Sequence, residues 1–97
     1  MKQHITPKQA KEITEEQFYS LFDDIVRRKN WANYHHSKVT VGKLIELIGN
    51  SYEIRAIRVD HKRKKVYVVV KNNISSYTFE GDELCDILWG IIKRGLA

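Results

Sequence analysis

The strand-like segment from Lys65 to Lys71 constrains the fold more than any other part of the sequence. Its alternating residues place three valines on one face, Val66, Val68 and Val70. The other face carries Lys65, Tyr67, Val69 and Lys71. Two further strand-like runs, residues 52 to 59 and 75 to 80, lie on either side and are joined to it by short connections at 60–64 and 72–74. Connections this short favour antiparallel neighbours, so the sequence predicts a three-stranded antiparallel meander.

Helix signals stand on both sides of the strands. Thr14 and Gln17 form a capping box, and an apolar stripe then predicts a helix from residue 15 to about 29. The stripe consists of Phe18, Leu21, Phe22, Ile25 and Val26. Upstream, Thr6-Pro7 indicates a short helical turn at 7 to 11. After Thr40, a second helix should end at Gly49.

A last helix should follow Asp82-Glu83, with Gly90 inside it as a sign that another element approaches closely. The order is ααβββα, an α+β fold class in which the meander packs against helices. The alternation slips at Ala56-Ile57, which indicates a β-bulge there. With 97 residues, the chain is expected to form a single domain over 1–97.

No apolar run approaches the roughly 20 residues that span a bilayer, and the polar start is unlike a signal peptide. The sequence therefore predicts a cytoplasmic protein without membrane contact. Cys85 is the single cysteine, so it can form neither an internal disulfide nor a cysteine-based zinc site, and its apolar neighbours indicate burial.

Positive charge is concentrated in the middle of the chain. Residues 27 to 71 hold twelve Lys and Arg against three acidic residues, a net charge of +9, while each flanking segment carries −2. This asymmetry suggests an anionic partner, either nucleic acid or an acidic protein surface, although a solvated surface would look the same.

The basic segment contains the candidate binding residues. The connection after the first strand carries four consecutive cations that could contact phosphates, and Tyr67, Lys71 and Arg55 could extend that surface. A second cluster surrounds Trp31 and Tyr34, whose rings could stack on bases. The predicted contact residues are Arg27, Arg28, Lys29, Trp31, Tyr34, His35, His36, Lys38, Lys62, Arg63, Lys64, Lys65, Tyr67 and Lys71.

Catalysis and metal binding have weaker support. His35 and His36 are adjacent, so their side chains diverge instead of chelating one ion, and we expect no metal or cofactor. Asp23 and Asp24 diverge in the same way and more plausibly pair with Arg27 and Arg28. No phosphate-binding glycine loop or nucleophile motif is present, so the sequence predicts a protein that is not an enzyme.

Protein binding is the alternative function, because tryptophan, tyrosine and arginine dominate interface hot spots. Trp31 could equally cover the end of the core between the first two helices. The oligomeric state is open, since the apolar last helix could pair across a dimer axis or pack on the sheet.

Two segments, residues 13–19 and 33–43, resemble parts of small uncharacterised proteins encoded by phages and prophages of Gram-positive bacteria. The resemblance covers about residues 6 to 48. It implies an accessory protein of a mobile element, acting in the host cytoplasm, a class that commonly binds and inhibits host or defence proteins. It implies no catalytic residue.

Overall fold

The structure is a computed structural model that describes residues 2 to 22 and 25 to 96. It confirms an α+β fold in which an antiparallel meander, in the order β1-β2-β3, packs against helices. The strands are β1 (Glu53–Asp60), β2 (Lys65–Lys71) and β3 (Ser76–Gly81). The helices are α1 (Pro7–Ala10), α2 (Glu15–Leu21), α3 (Trp31–His35), α4 (Val41–Ile48) and α5 (Leu84–Leu96), with a 3₁₀ turn at His36–Lys38.

The two faces of the sheet have different environments. Val68 and Val70 are fully buried beneath α5, as the alternation in β2 predicts. The opposite face, with Tyr67 at its centre, is the one that we call the open face. The bulge lies between Ile54 and Ala56, at Arg55, one residue earlier than predicted.

Helix α5 touches the end of β3 closely, whereas the position of Gly90 on the helix is open. A Cβ atom on Gly81 would lie 2.9 Å from the Cγ1 of Ile87, so this glycine allows the end of β3 to touch the helix. The prediction that Gly90 marks a close approach is wrong because, apart from its chain neighbours and the backbone of α5, no atom of the described residues lies within 4 Å of the position a Cβ would take there. Cys85 is buried, as predicted.

Helix α2 is much shorter than predicted. It ends at Leu21 instead of near residue 29, and Phe22 leaves the helical region with φ −128° and ψ 73°. Further along the chain, the backbone N–H of Arg28 donates to the Tyr19 hydroxyl over 2.8 Å. Val26, expected in the apolar stripe, is 70% exposed. The Tyr19 hydroxyl thus accepts a backbone N–H that the predicted helix would have bonded to a backbone carbonyl.

The connection between the helix predicted to end near residue 29 and the helix predicted after Thr40 is itself helical. Residues 31 to 35 form α3, and the 3₁₀ turn follows directly. The N-terminal segment secures this region, since the Ile5 N–H donates to the Val39 carbonyl over 3.1 Å. The capping hydroxyls of Thr14 and Thr40 each accept a backbone N–H, so both predicted helix starts are confirmed. Within the described ranges, no helix is long and apolar enough to cross a membrane.

Candidate nucleic-acid interface

The connection between β1 and β2 is a rigid basic turn. The carboxylate of Asp60 accepts the backbone N–H groups of Lys62 and Arg63, over 3.0 and 3.2 Å. Lys64 adopts a positive φ of 55°, which closes the turn. These bonds occupy the carboxylate with backbone donors, so the three cationic side chains extend into solvent. Arg63 keeps only a weak ion pair with Asp60, at 4.0 Å.

Lys65 does not belong to the tip of this turn. Its ammonium donates to the Asp82 carboxylate over 2.8 Å. This hydrogen bond raises the pKa of Lys65, which keeps the charge but commits it to an internal partner. Of the four consecutive cations, three therefore remain available.

The open face continues this positive surface toward an aromatic ring. Arg58 stands opposite Tyr67 in the register of β1 and β2, and its side chain is exposed. A shallow depression of about 670 Å³ lies here, and its lining includes Arg58, Lys62, Tyr67, Val69 and Thr78. In the part of the chain that the structure describes, no carboxylate pairs with Arg58, Lys62 or Lys64. We call Arg58, Lys62, Arg63, Lys64 and Tyr67 the hairpin surface.

Sequence reasoning chose the wrong arginine for this face. Arg55 occupies the bulge and pairs with Glu53 at 3.3 Å. Placing the bulge at Arg55 would have put Ala56, Arg58 and Asp60 on one face, because side chains alternate beyond a bulge. Lys71 is exposed at the other end of β2, six residues from Lys65, or roughly 20 Å away along the strand.

The second predicted cluster assembles around Tyr34, whose side chain is 51% exposed. The Arg28 guanidinium lies 4.4 Å from the ring centre, and the Lys38 ammonium lies 5.7 Å from it. Lys29 is exposed nearby in sequence. Arg27 turns elsewhere, onto the Tyr19 ring and into an ion pair with Glu16 at 3.3 Å. The expected partners Asp23 and Asp24 lie outside the described residues.

Two aromatic rings of this segment, those of Trp31 and His35, serve packing. Trp31 is half-buried, with its ring 4.8 Å from that of Phe18, so it covers the end of the core. The prediction of His35 as a contact residue is wrong, because its side chain is 1% exposed. Its Nε2–H donates to the Val26 carbonyl over 2.9 Å, and its Nδ1 is buried without a hydrogen-bond partner among the described residues.

His36 is half-buried and points away from His35, as expected for neighbours on a helical turn. Its Nδ1 donates to the Ile5 carbonyl over 3.1 Å, and the Nδ1 of His4 donates to the same oxygen over 2.8 Å. The His36 bond therefore holds the N-terminal segment against the 3₁₀ turn, and the His4 ring lies 5.2 Å from the His36 ring, centre to centre. Among the residues described, no group of three or more histidine, cysteine, aspartate or glutamate side chains could hold a metal ion.

The predicted residues therefore separate into two groups. Arg28, Tyr34 and Lys38 meet at the helical end, where α3 packs against α1. Lys62 and Tyr67 meet on the sheet, beside Arg58, which is not among the predicted residues. Comparisons with protein-family models, curated proteins and solved structures found no match.

Proposed function

We propose that this chain is a non-enzymatic accessory protein that binds nucleic acid through the hairpin surface. The observation that carries the proposal is the hairpin surface, where exposed cations with few carboxylate partners lie beside an aromatic ring. The ring is that of Tyr67, on the open face of the sheet. Phosphate contacts supply most of the sequence-independent affinity of such surfaces, and aromatic rings add stacking with bases.

Single strands fit this surface better than duplexes. Tyr67 is half-buried and lies within the face, so only a base that has left its stack can lie against the ring. Arg58 stands directly across from it, where its guanidinium can reach the adjoining phosphate. The turn at Lys62–Lys64, which joins β1 to β2, adds further positive charge next to Arg58.

The Tyr34 cluster has a different part in this proposal. Arg28 already stacks on the ring, and Lys38 approaches it, so the protein's own cations compete with a base for that aromatic face. The cluster supplies positive charge that adds to nucleic-acid affinity without a stacking platform.

Fluorescence anisotropy with labelled single-stranded DNA, single-stranded RNA and duplex DNA at two salt concentrations tests the proposal. Wild-type protein should bind single strands at low salt and weaken steeply as salt rises. Replacing Tyr67 by leucine should reduce affinity by the worth of one stacked base, about 1–3 kcal/mol. The same substitution preserves an apolar side chain on the strand, so circular dichroism should be unchanged.

Matched charge variants make this test specific. Lys62→Gln with Lys64→Gln removes two charges from the turn, and Lys8→Gln with Lys11→Gln removes two from exposed positions at α1. We expect the first pair to weaken binding much more than the second. Absence of binding at low salt, or equal losses from both pairs, would refute the proposal.

The exposed pair Tyr34 and Arg28 supports a second candidate, in which the chain is an inhibitor or structural accessory that binds a host or defence protein. Tyr34→Ala is the cleaner probe of this surface than Trp31→Ala, because Trp31 packs in the core. A pulldown from host lysate that is lost with Tyr34→Ala but kept with the Lys62 and Lys64 variant would favour this candidate.

A further inference from the structure

The outer edge of β1 presents an apolar surface that the chain itself leaves uncovered. Ile57 and Val59 are 40% and 56% exposed, although they share a face with the buried Val68. The helices lie mainly over the other strands. Helix α5 lies over β2 and β3, whereas α4 makes only a small contact with β1, so Ile57 and Val59 stay partly exposed. β1 is also an edge strand, so alternate backbone N–H and C=O groups face outward without a neighbouring strand.

The apolar stripe of α5 does not offer a comparable surface. Ile87, Leu88 and Ile91 are buried within the chain, which removes the last helix as a route to a dimer. The other sheet edge, β3, contains no valine, leucine or isoleucine, and the ring of its Phe79 is half-buried with the Arg94 guanidinium 5.3 Å from its centre. The exposed aliphatic pair on β1 is therefore the surface that best fits another strand.

We propose that this strand is β1 of a second copy of the chain, so that two sheets join into a continuous six-stranded sheet. The pairing is antiparallel about a two-fold axis perpendicular to the sheet, which keeps the helices of both copies on the same side. This inference is independent of the proposed nucleic-acid function.

The register follows from the irregular ends of β1. The bulge at Arg55 interrupts the strand on one side, and the turn after Asp60 ends it on the other. The regular segment is residues 56 to 60, and its centre is Arg58. Pairing these segments places Ile57 opposite Val59 of the second copy, and Val59 opposite Ile57, which buries all four exposed aliphatic side chains together.

Charges on the open face agree with this register. Each Asp60 lies diagonal to Arg58 of the other copy, which offsets the repulsion between the two arginines at the axis. Beyond the bulge, the exposed Glu53 approaches Lys62 of the other copy, a second pair of opposite charges. The edge is thus complementary to itself in apolar and charged positions alike.

Sedimentation velocity of the full chain over micromolar to millimolar concentrations tests the proposal. The expected species at high concentration has twice the 11.4 kDa mass of one chain. Val59→Lys should raise the dissociation constant by about tenfold or more, because two ammonium groups would enter the joined apolar cluster. The control Thr78→Lys places the same charge on the exposed β3 edge and should leave the dimer intact.

Cysteine cross-linking tests the register. Burial raises the pKa of the Cys85 thiol, which keeps the native cysteine unreactive. An equimolar mixture of the Ile57→Cys and Val59→Cys variants should form disulfide-linked dimers faster than either variant alone. A monomer at all concentrations, a dimer that survives Val59→Lys but not Thr78→Lys, or fastest cross-linking by Ile57→Cys alone would overturn the proposal.

Discussion

One chemical change, glycine to alanine, should have opposite effects at two positions of this fold. Gly90 lies inside α5, where alanine is favoured over glycine by about 0.8–1.0 kcal/mol. Apart from its chain neighbours and the backbone of α5, no atom of the described residues lies within 4 Å of the new methyl group. At Gly81 the new Cβ would lie 2.9 Å from the Cγ1 of Ile87, which is itself buried and has little room to move. Such overpacking costs about 1–3 kcal/mol.

The backbone of Gly81 does not decide its outcome, because neither it nor any other described glycine has a positive φ. Relief of the glycine's entropy cost in a strand returns about 0.5–1 kcal/mol. We therefore expect Gly81→Ala to destabilise by about 1–2 kcal/mol. Gly90→Ala should raise the melting temperature by about 4–8 °C per kcal/mol gained.

Urea denaturation followed by circular dichroism would measure both changes, with the m-values compared to confirm that the same transition is observed. A Gly81→Ala variant as stable as wild type would show that Ile87 moves freely and that the contact between β3 and α5 does not require glycine. A destabilised Gly90→Ala variant would show that another surface packs against the middle of α5.

Three further predictions concern binding and stability. Lys62→Gln with Lys64→Gln should make the salt dependence of single-strand binding, log K against log salt, shallower by about 1.4, and an unchanged slope in anisotropy titrations would contradict the phosphate contacts. Burial favours a higher pKa for the Glu12 carboxyl, but hydrogen bonds from Lys93 and Trp89 outweigh burial and hold the pKa below its ordinary value of 4.5. The carboxylate therefore stabilises the fold above that pH, so Glu12→Gln should be less stable than wild type in urea at pH 7 and the difference should disappear as the pH falls through the lowered pKa. His35→Ala should cost about 3 kcal/mol or more in the same assay, because it empties a buried ring position and removes the bond to the Val26 carbonyl; a loss below about 1 kcal/mol would contradict that packing role.

Local signals predicted the parts of this fold that local chemistry controls. The hydroxyl of Thr14 and the amide of Gln17 satisfy each other's backbone donors, so the start of α2 is readable from four residues. The alternation from Lys65 to Lys71 identified the buried face of β2 for the same reason, since strand side chains alternate whatever they pack against.

Long-range bonds explain what the sequence did not show. Ile25 and Val26 continue the helical periodicity of α2 but lie outside it, and the side chains of Tyr19 and His35 bond to the backbone of residues 28 and 26. The position of the bulge has a similar origin, because it depends on the register with β2 and not on Arg55 itself. Because the bulge lies one residue earlier than predicted, Arg58 and not Arg55 shares a face with Tyr67.

The segment from Trp31 to Lys38 contains five of the predicted contact residues, and packing or internal hydrogen bonds account for three of them. Trp31 and His35 complete the core, and His36 bonds to the N-terminal segment. A residue with a structural role needs no ligand to explain its presence. The cations at Lys62 and Lys64 have no such explanation, since their side chains extend into solvent and Asp60 bonds to the backbone of the turn. The hairpin surface is therefore a stronger candidate binding site than the segment from Trp31 to Lys38, because its charge is exposed and has few internal partners.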